Sequence, residues 1–80
     1  MKRSLYFAPL ATAMLRQIDR RFVVNVWEII DLLCEDPNQV DYRSDPLDPS
    51  VYGVTVAGDI TVWFEILDEQ HALRVLDIEE

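Results

Sequence analysis

The apolar residues of this chain pass from a helical spacing to a period of two beyond its middle, and that change points to a helical part followed by a sheet. Ala11, Leu15, Ile18 and Phe22 fall on one helical stripe, with Leu10 and Met14 beside it. Val23, Val26, Trp27, Ile30, Leu33 and Cys34 form a second stripe. The charged group Asp19-Arg20-Arg21 between them predicts a bend, with one continuous helix as the alternative. Pro9 suits a first helical turn, where its missing N–H is no loss, and Pro37-Asn38 ends the second helix. Residues 38–51, rich in Asp and Pro, read as one long connection. Beyond it the period is two. Tyr52, Val54 and Val56 alternate with Gly53 and Thr55, and Ile60, Val62, Phe64 and Ile66 alternate with Thr61, Trp63, Glu65 and Leu67.

Ala57-Gly58-Asp59 and Asp68-Glu69-Gln70 supply the turns between these strands. The last strand, His71 to Ile78, is apolar on both sides: Leu73 and Val75 against Ala72, Leu76 and Ile78. Such a strand is central in its sheet or covered at an interface. Ser4 to Phe7 is a short first strand that stops at Pro9. The expected fold is α+β in the order β-α-α-β-β-β, a helical hairpin packed on an antiparallel sheet, in a single domain spanning residues 1–80.

The single cysteine, Cys34, excludes an intramolecular disulfide and a multi-cysteine metal cluster, so an apolar core must hold the fold and a reducing cytoplasm is the natural setting. At 80 residues that core is small, which makes self-association or a partner chain a reasonable source of extra stability. The net charge is -8, and it is unevenly placed. Residues 1–40 balance, with Lys2, Arg3, Arg16, Arg20 and Arg21 against five acidic side chains, whereas residues 41–80 hold Arg43 and Arg74 against ten. This disfavours nucleic acid as a partner, because phosphate binding depends on clustered cations. No stretch approaches the roughly 20 apolar residues of a membrane span. The start of the chain loosely imitates a signal peptide, but its apolar region is short and broken by Pro9, and it fits a strand and helix better.

Few residue groupings carry chemistry. His71 is the one histidine and sits at a turn, where a solvated surface role is the ordinary one and acid-base work the alternative. Cys34 on the apolar stripe reads as a buried thiol. Asp41, Asp45 and Asp48 lack the glycine and bidentate Glu of a calcium loop, and their Asp-Pro turns explain them. Gly58 does not sit in a phosphate-binding pattern, and Ser4, Ser44 and Ser50 have no triad partners. No metal or cofactor is expected. Phe64 belongs to the core stripe, while Trp63 points the other way with Thr61, Glu65 and Leu67. That makes Trp63, Leu67, Glu65 and Glu69 the candidate contacts for a partner, unless the 38–51 connection half covers the indole.

Several motifs in this order resemble the RelE/ParE superfamily of toxins from type II toxin-antitoxin systems, whose roles include plasmid stabilisation. They are Phe7-x-x-x-Ala11-x-x-x-Leu15 entering the first helix, and Leu32-Leu33-Cys34-Glu35-Asp36-Pro37 closing the second. Leu47 precedes the meander, whose segment from Tyr52 to Ile66 matches best, and Arg74 to Ile78 follows. The resemblance covers nearly the whole chain. It implies a domain of this fold bound by an antitoxin, many relatives cleaving mRNA on the ribosome and the ParE branch poisoning DNA gyrase. Phosphodiester cleavage needs cationic side chains to hold phosphate and developing charge. The family's cationic positions fall here on Gly53, Thr55, Thr61 and Glu80, and Ala57 lengthens the hairpin turn by one residue. The chain therefore reads as a diverged member without the usual catalytic arginines, acting through protein-protein binding, with an antitoxin-like partner carrying a basic segment. Two alternatives stand beside this: a residual ribosome-dependent mRNA endonuclease using Arg74 and His71, and a homodimer joined through Trp63 and the two-sided last strand.

Overall fold

The computed structural model describes residues 2–80. Strand β1 (Ser4–Phe7) runs into helix α1 (Pro9–Leu15), which has Pro9 at its first turn. Helix α2 (Arg20–Glu35) is separate, so the bend expected at the charged group is a full break. Its cause is Asp19, which is the N-cap: its carboxylate accepts from the Arg21 backbone N–H at 2.9 Å and so starts a new helix. Phe22, placed by spacing on the stripe of Ala11, therefore belongs to α2. At the other end Asp36 caps a 3-10 turn (Pro37–Gln39) by accepting from the Asn38 N–H at 3.1 Å.

The connection expected at 38–51 contains more structure than its composition indicated. Strand β2 (Arg43–Asp45) pairs with β3 (Asp48–Val56), which starts earlier than its alternating residues show. Asp45 accepts from the Leu47 N–H at 2.9 Å and Asp48 from the Ser50 N–H at 3.1 Å, so these aspartates shape the turn. Pro49 is tolerated because this hairpin is the sheet's margin, where one strand side needs no donor. Strand β4 (Ile60–Leu67) and strand β5 (Ala72–Glu79) complete the sheet. Its order is β1-β5-β4-β3-β2.

Two expectations are corrected. The sheet is mixed, not wholly antiparallel, because β1 lies parallel to β5 with Ser4 opposite Ala72. A four-residue strand carries no signal of direction; α1, which follows β1 at once and packs on β5, sets it. Next, the register of β5 against β4 shifts between Trp63 and Phe64, so one β5 residue is extra. Ile78 thereby joins Leu73 and Val75 in the core instead of sharing a side with Ala72 and Leu76. With β1 on one edge of it and β4 on the other, β5 is an interior strand of the sheet, next to the edge strand β1.

The core lies between the helices and one sheet face. Ala11, Ile18, Val26, Ile30, Leu33 and Cys34 meet Val54, Ile60, Val62, Phe64, Leu73, Val75 and Ile78, all buried. Trp27 is a further correction, since it is 42% exposed and meets Phe7 edge-on at 5.5 Å instead of entering the core. The turn Ala57–Asp59 has Gly58 at φ +76°, and a Cβ there would come within 2.9 Å of the Phe22 ring. This turn is thus a packing contact with the start of α2.

Candidate functional site

The sheet face turned away from the helices gathers most of the singled-out residues through strand register. Gly53 lies opposite Trp63 on one side and Arg43 on the other, Thr55 opposite Thr61, Thr61 opposite Glu79, and Glu65 opposite Arg74. A Cβ on Gly53 would lie 2.6 Å from a ring carbon of Trp63, so the missing side chain is what lets the indole lie across the strand. The indole N–H donates to the Glu79 carboxylate. Arg43, Ser44 and Pro46 rise beside it and close a cleft of about 260 Å³ with Gly53, Thr55, Thr61 and Trp63. Trp63 is consequently half-buried by part of the 38–51 segment.

The charges in this cleft are few. Arg43 is its one cationic lining residue and makes no ion pair among the described residues. Arg74, the arginine expected to serve chemistry, instead donates to Glu65 across the strands at 2.9 Å, an exposed pair that spends its charge locally. Three of the positions where the resemblance places cations, Gly53, Thr55 and Thr61, do converge here, while Glu80 follows β5 outside the lining. Leu67 is half-buried farther along the same face, opposite Ala72, and Glu69 is exposed in the turn before His71. Arg43 was missed in the sequence because its strand was read as a connection; the available signal was that it is the only basic residue between Arg21 and Arg74.

His71 is not brought to this cleft. It ends a 3-10 turn (Asp68–Gln70) in the left-handed conformation at φ 48° and lines a different hollow of about 510 Å³, beyond the C-terminus of α2 on the helix-covered side. Arg3, Asp36, Tyr42 and Tyr52 also line that hollow. Arg74 does not line this hollow. Cys34 is buried, and burial pushes its thiol up from the ordinary value, which suits a packing role and not a nucleophile. Among the described residues no group of three or more His, Cys, Asp and Glu side chains is placed to hold a metal ion, and no helix is long and apolar enough to cross a membrane.

No family model matches the chain, and no curated protein matches it in sequence. Solved structures do match in shape. The RelBE2 toxin-antitoxin complex from Mycobacterium tuberculosis superposes with a TM-score of 0.82 at 18% identity, covering 100% of this chain and 99% of that chain. An arginine-to-alanine double mutant of the Escherichia coli toxin RelE in the free state gives 0.83 at 15% identity, covering 100% and 84%. The archaeal RelE-RelB complex from Pyrococcus horikoshii gives 0.73 at 15% identity, covering 99% and 94%. At such identities the likeness is one of architecture, two helices packed on a five-stranded mixed sheet. The fold of this chain is that of the RelE toxins.

Proposed function

We propose that this protein is the toxin-fold member of a toxin-antitoxin pair, that it works in the cytoplasm by binding protein, and that its open face does not cleave RNA. The observation that carries this reading is the cleft under Trp63, where Arg43 is the one cation and the positions around it are glycine and threonine. Cleaving a phosphodiester develops negative charge that cationic side chains stabilise, and here Arg74 is held by Glu65 while Glu79 adds negative charge beside the indole. The acidic residues of the second half favour a basic partner segment. Solved RelE structures that share this fold include complexes with RelB antitoxins, which supports an antitoxin-like partner here.

Purification of the tagged protein from its native cell should recover one small basic-segment protein in stoichiometric amount, with the complex weakening as salt rises. Recovery of no specific partner at low salt would defeat the reading. Induced expression without that partner then reports whether growth arrests. One observation favours a second reading. Arg43, which makes no ion pair among the described residues, lines the cleft with an indole, a combination that can hold a phosphate and stack a base. Incubation with translating ribosomes separates the two. Cleavage of mRNA that Arg43→Ala abolishes would establish a residual nuclease, and intact mRNA supports the binding protein.

A further inference from the structure

Helix α2 keeps an apolar strip in water. Val24 is 63% exposed, and Trp27 stands outside the core with its ring fixed against Phe7. Together with Glu28 and Asp31 they line an open hollow of about 380 Å³. Arg20, Val24, Trp27 and Asp31 follow one another at i, i+4, i+7 and i+11, a single line down the helix, and all four are exposed. The line therefore has a basic end, an apolar middle and an acidic end.

These charges are placed against the field of their own helix. A helix favours acids in its first turn and bases in its last. The first turn of α2 holds Arg20 and Arg21 and no acid, and its last turn holds Glu35 and no base. Neighbouring groups offset this only in part, since Asp19 pairs with Arg21 and Lys2 with Asp31. Among the described residues Arg20 and Glu28 make no ion pair.

An apolar strip with opposite charges at its two ends is complementary to a copy of itself running the other way. A two-fold axis level with Asn25 and Val26 sets Arg20 opposite Asp31 and Val24 opposite Trp27, each pair occurring twice. Both ends of α2 then meet the charge that their own helix lacks, whereas a parallel arrangement brings like charges together. The acidic excess does not oppose the contact, because it lies in residues 41–80 and residues 1–40 balance. We propose that a second copy of this chain packs antiparallel on α2, with its Val24 and the stem of its Arg20 filling the hollow beside Trp27, to form a two-fold dimer. The contact is separate from the Trp63 cleft and does not rest on the binding reading above. One helix pair buries less than the roughly 1,200 Å² of a standard interface, so the expected Kd is on the order of 10–100 µM.

Sedimentation of the full chain across about 5–500 µM tests the proposal. The sedimentation coefficient should rise with concentration toward that of a dimer. Arg20→Glu and Asp31→Arg, each checked for a folded circular dichroism spectrum, should weaken association at least about tenfold, because each sets like charges together at both ends of the contact. An equimolar mixture of the two variants should recover it, since each then supplies the charge that the other lacks. Val24→Arg should leave a monomer. A monomer of the unaltered chain at every concentration overturns the proposal and leaves the strip to a partner of another kind. Association that both charge variants retain unchanged, or a mixture that recovers nothing, overturns the antiparallel pairing. Association kept in Val24→Arg and lost in Trp63→Ala overturns it as well, by placing the contact on the open face of the sheet.

Discussion

The two faces of the β-sheet are built on different rules. The face under the helices is uniformly apolar, with Ile60, Val62, Phe64, Val75 and Ile78 at 0% exposure. The open face carries Arg43, Thr55, Thr61, Trp63, Glu65 and Arg74, none of them fully buried. The first face is held by burial and is indifferent to which large apolar side chain opposes which, within packing limits. The open face is held by particular pairs set by register: Trp63 over Gly53 and Arg74 on Glu65. Stability therefore resides mainly on one side of the sheet, and contacts that depend on particular residue pairs lie on the other.

The sharpest way to break this division is to truncate Phe64. Phe64→Ala should cost about 3–5 kcal/mol in urea unfolding, against a total of roughly 4–12 kcal/mol for a domain of this size. Thr55→Ala and Thr61→Ala on the other face should stay within about 0.5 kcal/mol. Equal losses on both faces would mean that the open face is structural. Gly53→Val is intermediate, because its side chain must push the indole aside. It should cost about 1–3 kcal/mol and shift Trp63 emission, best read in a Trp27→Phe background.

Smaller effects sharpen the contrast between the two arginines of the open face. Arg74→Ala should lower stability by no more than about 1 kcal/mol, since an exposed pair is weak and screened by salt. Arg43→Ala should leave unfolding unchanged within about 0.5 kcal/mol, because among the described residues Arg43 makes no ion pair. A larger loss from Arg43 than from Arg74 would show that Arg43 braces the edge hairpin.

The smallest effect lies away from the sheet, at the break between the helices. Asp19 is held below its ordinary value by the Arg21 guanidinium and then by the Arg21 backbone N–H. A carboxylate depressed in the folded state adds stability above its unfolded value and loses it as pH falls through the folded one. Asp19→Asn retains a capping oxygen but not the charge. The difference between wild type and this variant should be small at neutral pH and vanish in acid; a difference that persists in acid would assign the effect to the cap alone.

How much of this was legible depends on the signal each feature leaves. The buried face was, since Val54, Ile60, Val62 and Phe64 alternate and every one is buried. Ile78 was assigned to the wrong side because a bulge adds one residue without any mark in the composition of β5. Strand β2 was hidden, for Arg43, Ser44 and Asp45 carry no apolar alternation, and what makes them a strand is their pairing with β3. With β2 unseen, Arg43 could not be placed near Gly53 and Trp63. Trp27 matched the helical period yet stays exposed, because its ring leans on Phe7 at the margin of the sheet.

By itself the sequence determined the class of elements, the order of all of them but β2, the helix-covered face of the sheet and the acidic character of the chain's second half. Those properties follow from local spacing and from summed charge, neither of which needs a partner residue. Only the tertiary structure decided that β1 lies parallel to β5, that Arg43 reaches the Trp63 cleft, and that His71 lines a different hollow. Each of these depends on a pairing between segments far apart in the chain, and such pairings are set by the packing of the whole domain.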